Sequence, residues 1–194
     1  MEDLKKQNLE DAAMLDKSSR NIILKKITKN NKFKLLVNTP LNNLAIEFLD
    51  KFSNELRKLK ETNKYPDLVY LTYWCRKKKI EKLKNFLFVN QVRLGRGLII
   101  HICPSNVPTN FIYSFFFGLL SGNSNIIKMP SKDSNQKKII LKVIEILFKK
   151  KKFFSIKKSN HFIEYDYGDK NAITEELSSI SDGRVLWGSD KTVN

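Results

Sequence analysis

Apolar residues recur along this chain with two different periods, and the change of period marks its organisation. Between Leu41 and Leu59 they fall at Leu44, Phe48, Phe52, Leu56 and Leu59. That spacing of three to four predicts one face of an amphipathic helix, with Thr39-Pro40 at its start, where the missing N–H of proline costs little. A second helix is predicted over Leu68 to Leu87, with Tyr70, Trp74, Ile80 and Leu83 inward and the run Arg76-Lys77-Lys78-Lys79 outward. From Leu98 the pattern shortens. Leu98 to Ile102 is a continuous β-branched run that stops at Pro104, which cannot donate to a ladder, so it reads as a central strand. Phe111 to Leu120 is apolar almost all round, predicting a buried helix with Gly122 as its stop. Asn125-Ile126-Ile127 is a second strand, ending in Lys128 and Pro130.

The same alternation continues. Ser131-Lys132-Asp133-Ser134 offers N-caps for a helix over Asn135 to Lys149. Ile139, Ile140, Val143, Ile144 and Leu147 form its buried stripe, and Lys137, Lys138 and Lys142 lie on the solvated face. His161 to Tyr167 reads as a third strand, Asn171 to Ser179 as a short helix and Arg184 to Trp187 as a fourth strand, with turns at Gly168 and Gly183. The expectation is a helical N-terminal region over residues 1–92, followed over 93–194 by an α/β unit. That unit should be a parallel, Rossmann-like, doubly wound sheet with helices on both faces.

Such a sheet has a functional edge. Open α/β sheets bind ligands outside the carboxyl ends of their strands, which places Asn106 and Lys128 on the ligand side. Two prolines, Pro104 and Pro108, stiffen the loop that carries Asn106. An Asn there either donates its amide to a ligand or simply turns the loop; a strand-end Lys either meets an anion or snorkels to water. Gly188 and Ser189 resemble a strand leading into a helix N-terminus, a ready anion site. His101 and His161 sit inside strands with no partner at a recognisable spacing and read as core or edge residues. No G-x-G-x-x-G occurs.

Charge changes the picture less than its size suggests. The formal net charge of +16 would raise nucleic acid or an anionic membrane as partner. The excess is overwhelmingly Lys, which lacks the bidentate fork of Arg, so a solvated face is expected and no nucleic-acid partner. Cys75 and Cys103 lie far apart without metal-ligand spacing, so neither a disulfide framework nor a metal site is expected. The longest apolar run, Phe111 to Leu120, is roughly half of a membrane span, and the N-terminus lacks an apolar secretory core. A cytoplasmic protein is expected.

The loop Pro104-Ser105-Asn106-Val107-Pro108, the apolar helix ending in Ser121-Gly122-Asn123, the strand ending in Lys128 and the later Trp187-Gly188-Ser189-Asp190 together resemble the cofactor domain of the aldehyde dehydrogenase superfamily. The branch they most resemble is the LuxC-type acyl-CoA reductases, the fatty-acid reductases of bacterial luminescence; Leu71 to Lys77 is also similar to the helix preceding their cofactor domain. The resemblance implies NADPH-dependent reduction of an acyl-CoA, or an acylated protein, to the aldehyde through a Cys thioester. It implies Asn106 as oxyanion donor, and Pro104, Ser105, Lys128, Ser131, Lys132, Gly188 and Ser189 around the cofactor. Ser131-Lys132, where NAD-preferring relatives often carry a Glu, would accept a 2′-phosphate that a carboxylate would repel. An acyl-protein synthetase is among the partners it raises, with a homo-oligomer at full length. The nucleophilic Cys of the family lies well after the Gly-Ser turn, so the chain reads as the amino-terminal, cofactor-binding part of such an enzyme. A non-catalytic nucleotide-binding remnant and a basic nucleic-acid-binding module are the alternatives.

Overall fold

A computed structural model describes residues 33–87, 93–104, 106–165 and 170–188. Four parallel strands, β1 (Leu98–Ile102), β2 (Ser124–Lys128), β3 (Asn160–Ile163) and β4 (Gly183–Leu186), form one sheet in the order β3-β2-β1-β4. This is the α/β, Rossmann-like sheet the alternating pattern predicts. Gly183, expected to serve a turn, begins β4 opposite Ile99.

The helices are α1 (Asn43–Lys58), α2 (Pro66–Trp74), α3 (Lys77–Leu87), α4 (Asn110–Leu120), α5 (Asn135–Phe148), α6 (Phe154–Ser159) and α7 (Lys170–Ile180). One face of the sheet and the N-terminal helices share a core that joins α1 through α6 to Ile127 and Met129. Phe48 of α1 sits at its centre, with ring centroids 6.1 Å from Phe115, 6.0 Å from Phe148 and 5.1 Å from Phe153. The opposite face is a smaller core in which Leu98, Ile100 and Ile126 meet Leu177 and Ile180 of α7. Helices therefore cover both faces.

Several local expectations need correction. The first long helix starts at Asn43, because Asn42 caps it by accepting the Ala45 N–H at 3.0 Å; Pro40 lies upstream. The second is two helices. Cys75 ends α2 with its N–H on the Leu71 carbonyl, and α3 opens where Asp50 of α1 accepts the Lys77 N–H at 3.0 Å. The break changes which residues face inward: Tyr70 is 60% exposed and Leu83 44%, while Ile80 is buried. Lys137, expected in solvent, is buried in the core rim. Its ammonium donates to the Pro130 carbonyl at 2.9 Å, pairs with Glu164 and lies 3.6 Å from Asp133.

An extended strap over residues 33–41 crosses the amino ends of the strands. Lys34 N–H bonds to the Lys158 carbonyl, Leu36 exchanges two bonds with the Ser124 hydroxyl, and Asn38 N–H bonds to the Gly122 carbonyl. Gly122 has φ +83°, and a Cβ there would stand 2.1 Å from the Asn38 carbonyl oxygen, so only glycine lets strap and helix end meet.

Candidate functional site at the carboxyl edge

Strand register assembles the edge. Ile163 aligns with Lys128, Lys128 with Ile102, and Ile102 with Leu186, so the last residues of all four strands form one row. From β1 the chain passes through α4 to β2 on one side; β4 arrives on the other by the crossover through α7. The gap above β1 and β4 is thus the topological switch point where such sheets bind ligands.

The expected site residues distribute as follows. Pro104 is half-buried and Asn106 exposed in the loop that leaves β1. Lys128 is buried at the end of β2, with its Nζ 5.7 Å from the centroid of the Tyr165 ring, whose hydroxyl in turn meets the Thr174 hydroxyl of α7 at 3.0 Å. Ser131 and Lys132 are exposed in the following turn. Gly188 is exposed just beyond β4, and Trp187, between the two, bonds back through its N–H to the Ile102 carbonyl at 3.1 Å. Ser105 and Ser189 lie outside the described residues, as does Gly168. Loop, Lys128 and the β4 end thus share one rim, with Ser131 and Lys132 in the turn just after β2.

Both cysteines are buried. Burial pushes the Cys103 thiol up to about 11, against the opposing pull of a Ser114 hydrogen bond and the Lys128 charge. Burial also raises the Cys75 thiol well above its ordinary value. Neither is a thiolate at neutral pH, so neither is an activated nucleophile.

Sequence reasoning missed a buried polar chain beneath this rim. Trp187 Nε1–H lies 2.8 Å from the Ser114 hydroxyl of α4, which lies 2.7 Å from His101 Nδ1. His101 Nε2 lies 2.9 Å from Asn125 Oδ1; Asn125 Nδ2 donates to Asn160 Oδ1 at 2.7 Å, and Asn160 Nδ2 to the Ile156 carbonyl at 2.7 Å. Gly118 makes room, since a Cβ there would stand 2.0 Å from Asn125 Oδ1 and 2.8 Å from His101 Nε2. Burial pushes the His101 imidazolium pKa down to about 4, with the Asn125 hydrogen bond opposing it, so the ring is neutral. The chain had one visible signal, a Ser and a Gly inside an otherwise apolar helix facing a His inside an apolar strand.

Among the described residues no group of three or more His, Cys, Asp or Glu could hold a metal ion, and no helix is long and apolar enough to cross a membrane. A doubly wound parallel sheet whose row of strand ends carries Lys128 among Ile163, Ile102 and Leu186 defines the class: an α/β protein of the Rossmann-like type. The family model for acyl-CoA reductase (LuxC) matches residues 83–194, from within α3 through all four strands and more than half of the chain. The chain belongs to the LuxC acyl-CoA reductase family. No curated protein and no solved structure matches it.

Proposed function

We propose that this chain binds NADPH at the β1–β4 rim and serves the reduction of an activated fatty acyl group, carried by coenzyme A or by a protein, to the aldehyde. The supporting observation is the register that aligns Lys128 with Ile102, just before the Asn106 loop, and Ile102 in turn with Leu186 at the end of β4. A dinucleotide needs cationic and hydrogen-bonding groups at a sheet's carboxyl edge, and these residues supply them. Lys128 would hold the adenosine ribose, Pro104 and Ser105 would line the loop side, and Gly188 and Ser189 would meet the pyrophosphate. When bound, the dinucleotide supplies hydride to the acyl carbon. Asn106 would donate its amide to the oxygen that gains charge in that step; a neutral donor on a proline-stiffened loop spends little reorganisation, worth about 3 kcal/mol in comparable sites.

The 2′-phosphate preference rests on charge. The turn after β2 carries Ser131 and Lys132, and its one carboxylate, Asp133, is engaged by Lys137 at 3.6 Å and Lys138 at 3.5 Å. Nothing there repels a phosphate strongly. Titration calorimetry should therefore give tighter binding of NADPH than of NADH, and Lys128→Met should weaken NADPH at least tenfold. No heat from either dinucleotide, or an unaffected Lys128→Met, would sink the reading.

A second reading, nucleotide binding without chemistry, draws on the protonated state of both thiols. On both readings the chain by itself should show no acyl-CoA-dependent oxidation of NADPH; oxidation that persists in Cys103→Ala would contradict the remnant reading, and oxidation abolished in that variant would contradict the thiol argument.

A further inference from the structure

The polar chain beneath the rim has a direction, and the direction can be read from donor inventories. Asn160 Nδ2 donates to the Ile156 carbonyl at 2.7 Å and to the Ser159 hydroxyl at 3.0 Å, so its Oδ1 faces Asn125 as an acceptor. Asn125 Nδ2 is then committed to Asn160 and to the Asn123 carbonyl at 3.0 Å, which turns its Oδ1 toward His101. An acceptor there requires the Nε2–H tautomer of His101, leaving Nδ1 to accept from the Ser114 hydroxyl. The Ser114 oxygen, which also neighbours the Cys103 thiol, accepts the Trp187 indole N–H. One backbone carbonyl of α6 thus orients every group up to the last residue before Gly188.

We propose that Ser114 is a positioning residue for the cofactor site: through Trp187 it fixes the turn at Gly188 on which the dinucleotide phosphates rest. This inference rests on the proposed dinucleotide role of that turn. The other anchor of Trp187, its backbone N–H on the Ile102 carbonyl, sets the strand end but leaves the large indole free to swing. Trp187 is 37% exposed, so packing encloses it only in part. The Ser114 bond closes that freedom and carries the register of the buried chain to the rim.

The test uses two readouts. The chain has two tryptophans, so an indole 15N–1H spectrum shows two side-chain resonances, and Trp187→Phe identifies which belongs to Trp187. Ser114→Ala should shift the Trp187 resonance upfield and leave that of Trp74 in place, without any dinucleotide present. NADPH affinity should fall about fivefold in Ser114→Ala, the loss of one neutral hydrogen bond. Trp187→Phe should lose the same factor, the double variant should lose no more, and Ser114→Thr, which keeps the hydroxyl, should restore both the resonance and the affinity. If wild type binds NADPH and either single variant binds it equally well, the positioning role is overturned while the cofactor site stands. If wild type binds no dinucleotide, the cofactor reading fails and takes this inference with it, whatever the spectrum shows.

Discussion

His101 carries the residue-scale consequence that is simplest to measure. Its folded pKa, about 4, lies below that of a free imidazole, roughly 6.5. As pH falls, the unfolded chain takes up the proton first, so the stability His101 allows is complete above about 6.5 and drains away toward pH 4. The loss is on the order of 3 kcal/mol, and chemical denaturation between pH 7 and 4 should show it as a slope that His101→Gln flattens. An unchanged slope in that variant would assign the acid sensitivity elsewhere. None of this was legible in sequence, because the partners of His101 are contributed by α4 and β2 and meet only once the sheet is formed. Asn106 and Lys128, by contrast, could be placed at the ligand edge from their strands alone, since side and end of a parallel strand follow from chain direction.

At the scale of elements, pattern reading works where burial is complete and falters where a side chain decides a boundary. β1, α4 and β2 are apolar runs bracketed by proline and glycine, and their limits follow closely. The division between α2 and α3 has no such punctuation. It depends on Asp50, far upstream, reaching the Lys77 N–H, an interaction that no local window contains. Removing that cap with Asp50→Ala should cost about 1 kcal/mol in urea unfolding, whereas Asp50→Asn should recover most of it by keeping an acceptor. The short α6 was also missed, since Phe154–Ser159 is too brief and too rich in Lys to show a helical period; its Ile156 carbonyl nevertheless anchors the buried polar chain.

At the scale of the molecule, several lysines among the described residues have carboxylate neighbours. Lys58 and Lys150 meet Glu55, Lys152 meets Glu47, Lys149 meets Glu145, and Lys137 is enclosed beside Glu164. Pairs of this kind contribute little individually. The two sequence regions are likewise joined by more than helix packing. A polypeptide begun at residue 93 would lack the strap, orphaning the Gly122 and Leu120 carbonyls and the Ser124 hydroxyl, and would expose the phenylalanines that α1 covers. It should be recovered as aggregate or show no cooperative melting by calorimetry, whereas one begun near Phe33 should melt in a single step. The sheet of this chain is then not expected to behave as an autonomous cassette that could be cut free at residue 93; its forerunning helices would have to travel with it.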